Sequence, residues 1–461
     1  MTSLSPSQSL LATMWSALDG DPGALAAVRL TGEGDLPSVF ATTDLAQASV
    51  AAAGLALAGL VSSAGGPFPG VSCDRRLAAM WFSSSLRPEG WAPPPLWDAV
   101  AGDYRAADGW IRLHTNASHH RAAALAALGL DAGQATREQV GRAVSGWRAS
   151  ELESAVVAHG GCAAEMRSQA QWASHPQGAA VAAEPLVACQ HFEAAAAAPR
   201  PVDAARPQAG VRVLDLTRVL AGPTATRLLA AFGADVLRID PASWEEPGVV
   251  PDMALGKRCA GLDLRQPAGR AALEDLVRQA DVMVHGYRAD ALERLGLGAQ
   301  RRRELNPGLV DVALNAYGWS GPWSSRRGFD SLVQMSSGIA EAGMRAAGSD
   351  KPVPLPVQAL DYATGYLMAA AAVRGLTRRQ TGGGSQYRLS LARTARLLAD
   401  YPAASGQSPL APETPADVHP HLEMTAWGPA RRLRGPLGVG VAAMAWDRPA
   451  SPLRSVQPAW S

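Results

Sequence analysis

The feature that most constrains this chain is an alternation of short apolar runs with helical stretches, beginning at Val211. Residues 211–216 (VRVLDL) read as a strand, Ala221-Gly222-Pro223 as a turn, residues 224–232 as a helix and residues 235–240 (DVLRID) as a second strand. The pattern continues with a helix over 268–279 and strands over 281–285 (DVMVH) and 309–314. Strands alternating with helices predict a doubly wound parallel sheet, an α/β fold of Rossmann-like type that binds ligands at the carboxyl ends of its strands. The turn after the first strand, TRVLAGP, contains no GxGxxG, and the chain has no GxxxxGK[ST]. A nicotinamide or flavin site and a P-loop are therefore disfavoured.

Upstream, residues 193–210 (EAAAAAPRPVDAARPQAG) carry three prolines and no large apolar side chain, which predicts an exposed linker over 191–210. At 461 residues the chain is long enough for two to four domains at about 150 residues each. An internal repeat crosses the linker: Asp44 opens DLAQASVAAAGLALAGL and Asp361 opens DYATGYLMAAAAVRGL, and glycine pairs follow 21 and 22 residues after each, at Gly65-Gly66 and Gly382-Gly383. Between the copies, residues 104–113 read as a hairpin turning at Ala107-Asp108-Gly109, with helices after it at 119–128 and 151–159. The expected organisation is a partial first copy over 1–95, a smaller α+β domain over 96–190, the linker, the parallel-sheet domain over 211–400 and an extension over 401–461.

Composition narrows the partners. With 42 basic against 41 acidic residues the net charge is +1, so no global field gathers nucleic acid or an anionic membrane, and an anionic ligand must be held by local cations. No basic stripe interleaved with aromatics supports nucleic-acid binding. The four cysteines form no CxxC; His159 near Cys162 and His191 near Cys189 match no standard zinc spacing, so no metal is expected and the thiols read as reduced. The uncharged span 45–73 has a continuous apolar core of about a dozen residues, short of the ~20 that cross a bilayer, and reads as a buried helix. Residues 1–16 contain no Lys or Arg ahead of an apolar run; with no signal peptide or membrane span, the expected location is cytoplasmic.

Asp361 is the first candidate for chemistry. An aspartate at a helix start commonly caps it, which is the reading its spacing alone favours; it also follows the proline-rich 352–356 and precedes an almost uncharged helix that must be buried, a place where a partly desolvated carboxylate is a better nucleophile, so both readings stand. Asp44 reads as a cap, and His119, His120 and His285 as surface or structural histidines.

The segments VLDLTRVLAGPTATRLLAAFGADVLRID, GKRCAGLDL, ADVMVHGYRADALERLGL, LNPGLVDVALNAYGWSGP, RRGFDSLVQMSSG and VQALDYATG resemble the family III CoA-transferases, the CaiB/BaiF group, continuously from about residue 210 to 396. The resemblance implies CoA transfer between an acyl-CoA thioester and a carboxylic acid, with Asp361 as nucleophile and no cofactor beyond the CoA substrate. It further implies that Val219, Leu220 and Ala221 line the adenine side of CoA, that Lys257 and Arg294 stand near the phosphates, and that Tyr287 and Arg327 contact the cofactor. Pro241 stands where one branch has a phosphate-binding arginine, and Gly286 where asparagine is common. The related racemases carry His where this chain has Phe329, which cannot accept a proton, so acyl-CoA racemase or isomerase activity is the runner-up reading and a non-catalytic CoA-binding subunit the third. The family's domain order differs: here the smaller domain precedes the nucleotide-binding region, so the first copy is expected to complete the second. The resemblance implies a homodimer, with a pseudo-dimeric monomer as the alternative.

Overall fold

The computed structural model describes residues 4–131, 133–194, 200–403 and 408–460. From the N-terminus, α1 (Pro6–Ala17) starts at a reciprocal capping box between Ser5 and Gln8, and β1 (Val28–Thr31), α2 (Thr42–Ser63), β2 (Val71–Asp74) and α3 (Arg75–Trp81) follow. β1 and β2 pair in parallel across α2. The α+β unit comes next: β3 (Gly102–Arg105), β4 (Trp110–Leu113), α4 (Ser118–Ala127) and β5 (Ala163–Glu165). Its three strands form an antiparallel sheet with its own core of Ile111, Leu113, Val140, Leu152 and Val156. The β3–β4 turn falls on Ala107-Asp108-Gly109, where the hairpin reading sets it.

β6 (Ala188–Phe192) closes the first half; residues 195–199 of the expected linker lie outside the described residues. The second half supplies β7 (Arg212–Leu216), α5 (Ala221–Ala231), β8 (Asp235–Asp240), β9 (Lys257–Gly261), β10 (Val282–His285), β11 (Val310–Asn315), α6 (Asp330–Ser336), α7 (Ala359–Arg379), β12 (Gly384–Ser390) and α8 (Leu391–Ala399). The large sheet has the order β9-β8-β7-β10-β11-β12-β6, six strands parallel and β6 antiparallel to β12. This is the α/β, Rossmann-like sheet that the alternation of strands and helices predicts. Its interior strands are buried on both faces, as the near-continuous apolar runs require, while the edge strand β6 is largely exposed.

Two expected boundaries shift. β6 lies at the end of the first half yet pairs with β12, so position 190 divides nothing; an uncovered β12 would leave a row of unpaired backbone groups. Past the linker's undescribed part, Arg200 pairs with Asp281 at 3.1 Å and Gln208 is fully buried, so this part is anchored rather than free. Residues 408–460 are woven into the first half rather than appended: Leu437–Val439 pairs with β2, and Gly428–Arg432 with Leu86–Pro88.

The core lies where α2 and α7, each rich in alanine and almost wholly buried, pack side by side. The small side chains allow close approach, and a Cβ on Gly365 would stand 2.3 Å from the Ala221 carbonyl oxygen, so glycine there lets the start of α5 rest on α7. α2 is long and apolar enough to cross a membrane by length and composition, and it is buried within the fold. The two repeats share an element order. β1-α2-β2-α3 parallels β11-α7-β12-α8, except that α6 and the helix Ile339–Ala346 are inserted between β11 and α7, and α1 rests on α2 as α5 rests on α7. Asp44 and Asp361 are each the third residue of their helices, and each helix follows a residue of closely similar backbone angles, Ala41 at φ −69° and ψ 55°, Gln358 at φ −76° and ψ 62°.

Candidate active site

The turn from β7 into α5 forms the floor of a cleft of about 600 Å³ at the carboxyl end of the sheet. Val219, Leu220 and Ala221 all line it, with Asp361, Tyr287 and Arg327. The turn is strained: Val219 has φ +65°, a conformation that β-branched residues avoid. It is held because the Val219 amide donates to Glu246 (2.9 Å), a carboxylate that also accepts from Trp244 Nε1 (2.8 Å) and pairs with buried Arg238. A sharp, fixed turn at the head of a strand brings its backbone close to any ligand in the cleft.

Lys257 stands elsewhere. Its ammonium is fully buried, 3.0 Å from Asp215 Oδ2 and 3.0 Å from the Pro223 carbonyl, and it does not line the cleft. Burial pushes the Asp215 carboxyl up, but Lys257, Arg238 and two threonine hydroxyls outweigh this and hold it below its usual range. Lys257 thus braces the β7–α5 turn from beneath; the expected place at the phosphates is corrected. Arg294 is largely exposed, pairs with Asp290 one turn back (2.8 Å) and is not among the residues lining the cleft.

The cations that do line the cleft are Arg218, Arg288, Arg326 and Arg327. Arg218 lies against the faces of Trp244 (4.6 Å) and Tyr287 (5.2 Å). Burial and the charge of Arg327 lower the pKa of Arg288, the mark of cations converging on one space. Arg326 is committed to Glu153 (3.0 Å) and the Trp323 face (3.9 Å). The first half also reaches the cleft: Ser118, His119 and His120 at the start of α4 line it. The histidine pair is therefore neither remote nor simply surface. His120 has both ring nitrogens buried without a partner, and burial, with His119 and Arg327 nearby, pushes its pKa down to about 3, so it is neutral.

Asp361 sits in the first turn of α7, where the helix dipole favours a negative charge, but its side chain caps no backbone amide. That task falls to Asp330 at the start of α6, whose Oδ2 accepts the Asp361 amide at 2.9 Å while Gln334 donates to its Oδ1. Gln334 in turn accepts the Leu355 amide (2.7 Å), fixing the approach to α7. Both carboxyls are buried. Burial pushes Asp330 up to about 6 despite the bonds it accepts; burial and then the Asp330 charge raise Asp361 well above the carboxylate range. Two carboxylates facing each other out of water resist double ionisation. Asp330 escaped the sequence reading because nothing in its spacing shows that it meets α7.

Asp361 also forms part of a second, smaller chamber of about 280 Å³, lined by Val219, Leu220, Phe329, Asp330, Tyr362 and residues of the first half. His114 stacks on Phe329 with ring centroids 3.7 Å apart, where the resemblance to racemases would need a catalytic histidine. Asp361 is therefore a buried carboxylate on the wall between a cation-lined cleft and a small chamber. Among the described residues no three His, Cys, Asp or Glu side chains cluster to hold a metal ion.

A doubly wound sheet with an anion-accepting cleft at the carboxyl ends of its strands and a desolvated carboxylate in the cleft wall is a small-molecule site of α/β type. Residues 209–423 match the profile of CoA-transferase family III. Curated relatives agree. The acetyl-coenzyme A transferase nodX of Hypoxylon pulicicidum is 37% identical over 40% of this chain and 32% of its own length. An acyl-CoA transferase of Gibberella moniliformis is 31% identical over 64% of this chain and 55% of its own, and the succinate–glutarate CoA-transferase of Agrobacterium fabrum is 32% identical over 39% and 50%. The chain spans about a third to just over half the length of these relatives.

Proposed function

We propose that this protein moves coenzyme A between an acyl-CoA thioester and a carboxylic acid, with Asp361 as the nucleophile. One observation carries the reading: the Asp361 carboxylate is shared by the arginine-lined cleft and the small chamber, so a thioester whose CoA lies in the first and whose acyl group lies in the second has its carbonyl at Asp361. The names of the relatives, all transferases of CoA or acyl-CoA, support it.

An Asp361 oxygen attacks the thioester carbonyl, the C–S bond breaks, and CoA leaves as thiolate with the acyl group held as a mixed anhydride. The thiolate then attacks the aspartyl carbonyl of that anhydride, releasing the donor acid and leaving an aspartyl-CoA thioester. An acceptor carboxylate attacks this thioester, forming a second anhydride and freeing the thiolate, which takes the new acyl group and restores Asp361. No step needs a proton, which suits a dry carboxylate whose ionised form, poorly solvated, is a strong nucleophile. Arg218, Arg288 and Arg327 supply the charge that holds the nucleotide phosphates, Val219, Leu220 and Ala221 the close backbone, and Trp244 and Tyr287 aromatic faces for the adenine.

His119 and His120 bring the first half to the cleft, and two equivalent helices pack together within one chain. Both support the pseudo-dimeric reading, in which the first copy completes the site of the second. The central test is Asp361→Ala, expected to abolish exchange while CoA binding changes only a fewfold. Wild-type protein incubated with acyl-CoA and then hydroxylamine is expected to carry a hydroxamate on Asp361. Full activity in Asp361→Ala overturns the assignment.

A further inference from the structure

The chamber beyond Asp361 has a composition that selects among acids. Phe82, Leu96, Trp97, Val249, Met253 and Val357 give it apolar walls. None of the described residues lining it is a lysine or arginine. Its charged groups are acidic: Asp361, Asp330 and Asp252. Asp252 is already saturated, bonded to Arg227 (2.7 Å), Arg432 (2.9 Å) and the Ser85 hydroxyl (2.6 Å), so those two arginines are not free for a ligand. Arg112 lies 4.9 Å from the Trp97 ring centroid and is paired with Asp103 (2.8 Å). The adjoining space behind Leu96, about 170 Å³, adds Asp98, Glu245 and Glu246 and again no cation. His114 lines both spaces; burial, with His120 and Arg112 nearby, holds it well below the imidazole range, so it contributes a neutral ring against Phe329 and an unpartnered Nδ1.

From this geometry we infer that the acids exchanged are apolar monocarboxylates with a short to medium chain, and that dicarboxylates are excluded. The inference rests on the CoA-transfer reading of the same site. A second carboxylate at the far end of a short acyl chain would enter a space whose lining mixes apolar side chains with the neutral Ser83, Ser84, Asn116, Ser331 and Gln358, facing three carboxyls and no lysine or arginine to pair with, and an unpaired buried charge is strongly disfavoured. A terminal methyl there meets Phe82, Trp97 and Met253 and is stabilised by burial.

The test uses acids of equal length. With the full protein and butanoyl-CoA as donor, pentanoate is expected to be accepted with a kcat/KM about 100-fold or more above that of glutarate, the size of discrimination that an unpaired buried group produces. Calorimetry of pentanoyl-CoA and glutaryl-CoA on Asp361→Asn reads the chamber without chemistry, with at least about tenfold tighter binding expected for the former. Leu96→Arg, at a largely exposed position that tolerates substitution, is expected to raise the glutarate-to-pentanoate ratio about tenfold; an unmoved ratio counts against the inference. Equal or preferred use of glutarate or succinate, or equal binding of the two thioesters, overturns it while leaving CoA transfer intact. If no acid is transferred and Asp361 is never modified, the CoA-transfer reading fails, and the calorimetric ratio still decides the chamber.

Discussion

Asp44 and Asp361 begin the same kind of helix at the same register, and they have opposite surroundings. Asp44 is held by a cation: its Oδ1 accepts from Arg75 at 2.8 Å and from the Ser7 hydroxyl at 2.7 Å, so it is a structural ion pair and not the helix cap that its position suggests. Asp361 faces a carboxyl instead, and beyond it an open cleft. A repeat copies backbone and helix faithfully, but what a carboxylate does depends on the charge set opposite it. A paired aspartate contributes to stability; an unpaired one in a dry wall costs stability and gains reactivity.

The largest expected effect breaks the comparison at its centre. Asp361→Ala should lower kcat by about a thousandfold or more, as loss of a covalent nucleophile does. Asp44→Ala should leave kcat within about twofold and instead lower stability by about 3 kcal/mol, because Arg75 is left largely buried with one partner fewer. Steady-state kinetics and urea unfolding on the two proteins check this, and equal kinetic damage from both removes the distinction.

Next comes the cleft. Arg288→Ala and Arg327→Ala should each raise KM for the CoA ester about tenfold or more with little change in kcat, since charge-assisted bonds to phosphate hold substrate and transition state alike. Lys257→Ala should instead cost folding stability, for it leaves Asp215 buried without its cation. A KM effect confined to Lys257 and absent from both arginines would return that lysine to the phosphates.

The pH dependence sharpens the contrast. The nucleophile must be ionised, and burial together with Asp330 raises the Asp361 pKa, so activity should rise with pH across an acid limb lying above the ordinary carboxylate range. Asp330→Asn removes the opposing charge and should move that limb to lower pH; a limb that stays in place separates the two carboxyls.

The smallest effect concerns stability. A carboxyl whose pKa is raised on folding binds more protons in the native than in the unfolded state, so the stability it allows is complete below about pH 4 and declines as pH rises through the native pKa. Asp361→Asn removes that decline and should raise Tm by about 1–3 °C at pH 8 and less at pH 5. Asp44→Asn, which discards an ion pair, should lower Tm at both. Calorimetric scans at the two pH values decide.

Local signals were legible in the residues themselves. Runs such as VRVLDL and DVLRID can only be strands buried on both sides, and Ala107-Asp108-Gly109 can only be a tight turn, so the sheet and the hairpin were readable in sequence. The turn at Ala221-Gly222-Pro223 is readable too, because a strand running into Ala-Gly-Pro is a feature of neighbouring residues, whereas the roles of Asp361, Val219, Leu220 and Ala221 come from the resemblance to the family III CoA-transferases. The place of Lys257 is not legible in sequence, since its partner, Asp215, lies 42 residues away and its burial is a property of the packed sheet. Arg218, Arg288 and Asp330 have no sequence spacing that distinguishes them from surface charges. His120 lies in the other half of the chain, and only packing carries it to the cleft.

The parallel sheet, the two aspartate-headed helices and the near-zero net charge are written in the residues, because each follows from local periodicity or from composition. Tertiary structure decided which aspartate is paired with a cation and which faces another carboxyl, which arginines line the cleft, and that the strand ending the first half closes the sheet of the second. The physical reason is that desolvation and charge pairing are set by groups within about 4–6 Å in space, and packing brings those groups from segments far apart along the chain.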